Sequence, residues 1–151
     1  MSTAQNIQAR VPSSAIWLGG LGVLPFVALA TAHILSTGEI ASLTGFALAA
    51  YGAVILSFLG GIQWGLAIAP NRPGAPIGLP LTLSVVPSLI GWGALLLPDP
   101  ANLLVLALTF LAVLALDLWA ARAGLAPDWY PKLRIPLSLI VAGALIAGAT
   151  L

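Results

Sequence analysis

A long stretch in the first half of the chain carries no charged residue. It runs from Gly45 to Ala69 and has the sequence GFALAAYGAVILSFLGGIQWGLAIA. At about 1.5 Å of helical rise per residue, this stretch is long enough to cross the hydrocarbon core of a bilayer, which is about 30 Å thick. A soluble domain of 151 residues could not bury a composition that is 60% hydrophobic and 6% charged. The sequence therefore predicts an integral membrane protein.

Small side chains recur at every fourth position of this stretch. Residues four apart lie on one helix face, where small side chains let another helix backbone approach closely. Because each residue turns the helix by about 100°, the row winds around the segment, and no single neighbour can cover it. We predict internal packing near Gly61 and Gly65, and packing of the earlier half against the first span or another subunit. The predicted packing residues are Gly45, Ala49, Ala53, Ser57, Gly61 and Gly65, with Ala69 continuing the row.

Four further apolar segments accompany the central one, separated by short loops rich in proline, glycine and charge. The predicted fold class is all-α, a polytopic integral membrane protein with one bundle of five transmembrane helices. The first apolar segment follows a basic residue, as a secretory signal does, but its length, glycines and proline favour a span. A short cytoplasmic tail is expected at residues 1–14, and spans at residues 15–35, 43–69, 77–97, 101–121 and 133–151.

The charged residues predict the orientation of the bundle. With five spans, all basic residues fall on one side, whereas Glu39 and Asp99 occupy loops on the other. Basic loops stay in the cytoplasm, so the N-terminus is expected inside and the C-terminus outside. Aromatic residues near the basic side predict an interfacial belt. The basic residues are Arg10, Arg72, Arg122, Lys132 and Arg134, and the belt residues are Trp17, Trp64, Trp119, Trp129 and Tyr130.

Four polar side chains are expected within the membrane: Asp117, Gln63, Tyr51 and Arg134. An unpaired carboxylate inside a span costs about 3 kcal/mol, so Asp117 needs a partner. Arg134, Lys132 or Gln63 could supply one, and a structural ion pair or hydrogen bond is favoured over a proton relay. The hydroxyl of Tyr51 falls half-way through the membrane and is expected to bond to another helix.

Few residues suit a metal, a cofactor or catalysis. The chain has no Cys, and its single His, His33, has no second ligand at metal-binding spacing, so an interfacial role is favoured. Paired carboxylates, a serine beside a base and a phosphate loop are missing, so no catalytic residue is predicted and the protein is interpreted as non-enzymatic. No cofactor is predicted, although the amide of Gln63 beside Trp64 leaves a bound lipid or quinone open.

Three stretches resemble a family of small five-span proteins whose eukaryotic members are called transmembrane protein 69. They are AYGAVILSFLGGIQWGLA, SVVPSLIGWGALLL and DLWAARAGLAPDWYPKLRIPLSLIV, at residues 50–67, 84–97 and 117–141. The resemblance covers about Ile16 to Val141 and implies a bacterial inner-membrane or mitochondrial setting, with no catalytic residues to carry over. At Gln63 the family more often has a basic residue or His, which argues against proton handling there. The translocator-protein family shares the five-span plan, but its tryptophan-rich signature is absent.

Two classes of function remain. One is a structural or assembly subunit of a larger respiratory or photosynthetic membrane complex. The other is a small carrier or channel for a proton, quinone or small solute, which needs polar residues at the bilayer midplane and often internal repeats. The chain offers Tyr51 and Ser57 there and shows no repeat that aligns, so the subunit is favoured. The expected partners are the lipid bilayer of the bacterial cytoplasmic (inner) membrane and other membrane-protein subunits. A net charge of +1 gives no basis for nucleic-acid binding.

Overall fold

The computed structural model describes residues 10–69 and 77–151, and these residues form helices and no strand. The predicted tail up to residue 9 and the turn over residues 70–76, which includes Arg72, lie outside the described residues. The helices are α1 at Ser13–Leu35, α2 at Gly38–Ala67, α3 at Gly78–Ala94, α4 at Ala101–Arg122 and α5 at Tyr130–Thr150.

Four of these helices, α1, α2, α4 and α5, are long and apolar enough to cross a membrane. They contain 21 to 30 residues each, which gives at least about 31 Å of helical rise. Helix α3 has 17 residues, so its regular part rises only about 25 Å. The all-helical membrane fold is confirmed, whereas the crossing by the third segment, and with it the count of five spans, stays a prediction.

Three helices begin earlier than the sequence predicts, α1 by two residues and α2 and α5 by more. Helix α2 begins at Gly38, where a φ of 63° lets the chain turn directly after α1. Glu39 then lies in the first turn of α2, where its carboxylate interacts favourably with the helix dipole. Helix α5 begins at Tyr130, and Pro131 occupies the first turn, where an amide proton is not needed. The loop between α1 and α2 and the loop between α4 and α5 are therefore shorter than predicted.

The core lies where α1, α2 and α4 meet. The ring of Phe26 on α1 is fully buried, with its centroid 4.9 Å from that of Tyr51 on α2 and 5.6 Å from that of Phe110 on α4. The tilted and edge-on arrangements suit the charge distribution of aromatic rings. Tyr51 also donates its hydroxyl proton to the carbonyl oxygen of Gly22, 3.0 Å away. The interhelical bond predicted for Tyr51 is thus present, and it joins α1 to α2.

Helices α2 and α3 pack with their backbones in close approach. A Cβ atom at Gly60 would overlap the carbonyl oxygen of Ser84, and a Cβ atom at Gly91 would lie 3.1 Å from the Cα atom of Ala53. Moving seven residues back along α2 thus corresponds to moving seven forward along α3, so the two helices are antiparallel. Glycine at these positions is what allows the close approach.

The row of small residues divides after Ala53. Its first three members are buried and its last three are exposed, namely Gly45, Ala49 and Ala53 against Ser57, Gly61 and Gly65. A Cβ atom at Gly61 or Gly65 would meet no atom within 4 Å, so their predicted internal packing is wrong. The four-residue row drifts around the helix and leaves the inner face after Ala53, and Gly60 lies at the close approach instead.

The two ends of the bundle differ in charge. The end formed by the starts of α1 and α5 and the ends of α2 and α4 contains the basic residues among the described residues. At the other end, Nε2 of His33 lies 3.3 Å from Oδ2 of Asp99, in the turn between α3 and α4. Nδ1 of His33 lies 2.8 Å from the carbonyl oxygen of Ala41. His33 therefore links the end of α1 to the start of α2 and to this turn.

Candidate functional site

Asp117 and Arg134 form an ion pair inside the bundle, toward its basic end. Asp117 on α4 is 1% exposed, and Arg134 on α5 is 7% exposed. The Nε atom of Arg134 lies 2.6 Å from Oδ2 of Asp117. Either charge alone would be costly in this position, and pairing offsets much of that cost. The structure thus contains the predicted pairing with Arg134, and the side chain of Arg134 is buried between the helices.

Two further side chains bind the other oxygen of Asp117. Gln63 on α2 donates to Oδ1 through Nε2, and the hydroxyl of Tyr130 lies 3.4 Å from the same oxygen. Tyr130 is buried, so its predicted place in the interfacial belt is wrong. Its hydroxyl reaches the carboxylate while its ring packs edge-on against Trp129, with centroids 6.0 Å apart. The resulting polar cluster joins α2, α4 and α5.

The tryptophans predicted for the belt lie at the same end of the bundle. Trp17, Trp64 and Trp119 are exposed on its outside, and Trp129 is half-buried. Trp64 points away from the polar cluster although Gln63 points into it, because neighbouring residues on a helix lie about 100° apart. The two therefore do not form the shared binding edge that the sequence left open.

An apolar cavity of about 350 Å³ lies beside the ion pair, between α1, α2, α4 and α5. Arg134 is the only charged side chain that lines it among the described residues. Leu18 of α1 and Phe58 of α2 line the cavity and are also exposed, so the cavity opens between these two helices toward the surroundings of the bundle. Its main apolar wall residues are Val23, Phe26, Ile55, Leu59, Phe110 and Val141.

Two buried polar atoms of the cavity lining lack a hydrogen-bond partner among the described residues. They are Nη2 of Arg134 and Oγ of Ser138, which is 1% exposed. The two residues lie one turn apart on α5 and therefore on one face of the helix. Arg134 binds Asp117 through Nε, which leaves the N–H groups of Nη2 unused. An unpaired buried polar group costs about 1–3 kcal/mol, which a hydrogen-bonding ligand would remove.

A smaller cavity of about 110 Å³ lies between α2, α3 and α4. Gln63 lines this cavity, whereas Arg134 and Tyr130 line the larger one. The polar cluster around Asp117 therefore separates the two cavities. No group of three or more metal-binding side chains occurs within the described ranges.

Sequence reasoning missed Ser138. It is a single small residue in an apolar helix, and a lone serine there does not by itself indicate a functional site. Its spacing of four residues from Arg134 is the signal that could have found it, since such residues share a helix face. That spacing indicates a binding site only once the cavity beside both residues is known.

A family model described as a protein of unknown function, DUF3429, matches residues 11–150 of the chain. The chain belongs to the DUF3429 family. This DUF3429 chain is 38% identical to transmembrane protein 69 of Xenopus tropicalis over 135 residues, which is 89% of the chain and 53% of that relative. It is 31% identical to transmembrane protein 69 of Mus musculus over 129 residues, which is 85% of the chain and 52% of that relative. The chain thus spans about half the length of these relatives.

The resemblance to transmembrane protein 69 that three sequence stretches indicated is therefore confirmed. No solved structure matches the DUF3429 chain. The relatives' name and the four long apolar helices together identify a multi-pass membrane protein.

Proposed function

We propose that this DUF3429 protein binds a lipid-derived molecule in the larger cavity. The observation that carries the proposal is a pair of polar atoms without a partner among the described residues, Nη2 of Arg134 and Oγ of Ser138, in a mostly apolar lining. Ligand sites in proteins have this composition, with mostly apolar walls and a few polar groups that orient the ligand. The volume of about 350 Å³ lies near the lower end of the usual range. It suits a head group and the first part of a tail.

The ligand would reach the cavity sideways from the bilayer. The opening between α1 and α2 is bordered by Leu18 and Phe58, which are 71% and 65% exposed. In a membrane these side chains would face acyl chains, so an apolar molecule would meet no charged group on its way in. A tail longer than the cavity could remain between the surrounding lipids.

The proposed setting is the bacterial cytoplasmic (inner) membrane, with the N-terminus inside and the C-terminus outside. Arg122 and Lys132 at one end, and Glu39 and Asp99 at the other, support this orientation. The proposed role is non-enzymatic, because the bonds of Asp117 to Arg134, Gln63 and Tyr130 engage both carboxylate oxygens in holding helices together.

Photolabelling tests the proposed site. The probe is a diacylglycerol with a diazirine next to one ester carbonyl, incorporated into phosphatidylcholine nanodiscs that contain the wild-type protein. Irradiation should label cavity-lining residues of α5 such as Leu137 and Val141, as peptide mass spectrometry would show.

A matched pair of variants separates the cavity from the lipid-facing surface. Gly22 lines the cavity and Gly20 is exposed, and a Cβ atom at either would meet no atom within 4 Å. Gly22→Leu should therefore remove most labelling of α5, whereas Gly20→Leu should leave it unchanged. Labelling that is spread over the outer surface and is equal in the two variants would contradict the proposal.

A second role is favoured by a different observation. The exposed residues Ser57, Gly61 and Gly65 form a flat strip on α2 where another helix could approach closely. This strip supports a role as a structural or assembly subunit of a larger respiratory or photosynthetic membrane complex. Gly61→Leu should then leave the protein folded but release it from that complex on blue-native gels. A free monomer in wild-type membranes would contradict this role.

A further inference from the structure

Among the residues that the structure describes, the lining of the larger cavity carries one formal charge, and that charge is already compensated. Arg134 is the charged side chain of the lining, and Asp117 binds it at 2.6 Å. The groups that bind Asp117, from Arg134, Gln63 and Tyr130, are all donors, as an ionised carboxylate requires. An anionic head group would place a second negative charge beside one guanidinium in surroundings that solvate charge poorly. The site therefore disfavours a carboxylate or a phosphate.

The hydroxyl of Ser138 does not donate to a carbonyl oxygen of its own helix, as several other helical hydroxyls of this protein do. Thr31, Thr109 and Thr150, which also lie within helices, each donate to the carbonyl oxygen four residues earlier. The hydroxyl of Ser138 has no such partner, although it is fully buried. Its proton thus remains for a group in the cavity, next to the N–H donors of Nη2 of Arg134. The site offers more donors than acceptors.

We infer that the ligand has an uncharged head group with a carbonyl oxygen, which accepts hydrogen bonds from Arg134 and Ser138. This inference rests on the proposed function and names its ligand class. Two kinds of membrane molecule share the chemistry: acylglycerols, through an ester carbonyl, and isoprenoid quinones, through a ring carbonyl. In either case the apolar tail follows the cavity wall toward Leu18 and Phe58 and emerges into lipid.

Competition against the diazirine diacylglycerol tests the head group. Dioleoylglycerol and decylubiquinone are the uncharged competitors, and oleate and dioleoyl phosphatidic acid at alkaline pH are the anionic ones. At least one uncharged competitor should suppress labelling of α5, and whichever does so identifies the source of the carbonyl. Suppression by oleate or phosphatidic acid at lower concentration than either uncharged competitor would overturn the inference and leave the binding site intact. Absence of cavity labelling would instead overturn the proposed function.

Ser138→Ala removes one donor without adding bulk. The uncharged competitor should then bind about three- to tenfold more weakly, the usual factor for one lost neutral hydrogen bond. Ser42→Ala, the same change at an exposed serine of α2 away from the cavity, should have no effect. Equal competition curves for the Ser138→Ala variant and the wild type would contradict the hydrogen bond from Ser138.

Asp117→Asn tests the charge argument directly. The substitution keeps the shape of the side chain but leaves the guanidinium of Arg134 uncompensated, so oleate should become an effective competitor. If the variant folds and still excludes oleate, the compensation of Arg134 by Asp117 is not what makes the cavity prefer uncharged over anionic head groups. If the variant does not fold, the wild-type competition series and Ser138→Ala decide the question.

Discussion

Arg134 binds Asp117 through its Nε atom, 2.6 Å from Oδ2, and its Nη2 atom at the cavity wall has no hydrogen-bond partner among the described residues. One side chain thus serves two purposes. It stabilises the contact between α4 and α5, and it presents donors to the cavity beside Ser138. The binding site that we propose is therefore part of the structure that holds the helices together.

Loss of either partner of the ion pair should strongly destabilise the protein. Asp117→Ala or Arg134→Ala alone leaves a buried charge without its partner, and each should lower the free energy of unfolding by about 3–5 kcal/mol. The double substitution should cost clearly less than the sum of the two. Reversible unfolding in detergent micelles measures all three values. Additivity within about 0.5 kcal/mol would show that the two groups do not interact.

The partner of Asp117 could be predicted from the sequence because few cations lie at its depth and an isolated carboxylate is disfavoured there. The bond of Tyr51 to another helix was predictable for a similar reason, since buried polar groups must be paired. The number of apolar segments was predictable because loops rich in proline, glycine and charge separate them. The cavity was not predictable. It depends on how far α1 and α2 diverge at Leu18 and Phe58, and residue types alone do not determine that separation.

The packing face of α2 shows a second limit of sequence reasoning. Gly60 and Gly61 are adjacent and chemically identical, and a row of every fourth residue selects Gly61. In the structure it is Gly60 that contacts α3, because the residues that face a straight neighbouring helix recur about every 3.6 positions rather than every four. Over the seven residues from Ala53 to Gly60 that difference decides which glycine meets α3.

The two adjacent glycines should respond oppositely to the same substitution. Gly60→Ala would push a methyl group into the carbonyl oxygen of Ser84, so α2 and α3 must separate. The free energy of unfolding should fall by about 1–3 kcal/mol, as for other overpacked sites. Gly61→Ala adds its methyl group in open space and should raise the free energy of unfolding by up to about 1 kcal/mol, because alanine favours a helix more than glycine does. Thermal unfolding of both variants checks the order, and an equal loss would contradict the packing of α2 against α3.

The hydroxyl of Tyr51 should contribute a modest amount to the joining of α1 and α2. Tyr51→Phe removes the bond to the carbonyl oxygen of Gly22 but keeps the ring beside Phe26. The expected loss is about 0.5–1.5 kcal/mol in the free energy of unfolding. Tyr51→Leu also removes the aromatic contact and should cost more. If Tyr51→Phe is as stable as the wild type, the bond makes no net contribution.

The crossing by the third segment can be argued from its contacts with α2. Gly60 meets Ser84 near the basic end, and a Cβ atom at Gly45 would lie 3.3 Å from Oδ2 of Asp99 at the other end. Helix α3 and the turn that follows it therefore run beside α2 over most of the uncharged stretch. The regular helix ends at Ala94, which is why α3 is short by itself although the segment as a whole reaches the far end.

Single-cysteine labelling should show alternating sides along the chain. The chain contains no Cys, so each introduced one is unique. A membrane-impermeant maleimide should label cysteines at positions 39, 97 and 151 in intact bacterial cells, and those at 68 and 128 only after the membrane is permeabilised, if five segments cross with the N-terminus inside. The decisive comparison is Ile68→Cys with Leu97→Cys, which lie before and after the third segment. If both label from the same side, this segment does not cross, and the one-sided placement of the basic residues needs another explanation.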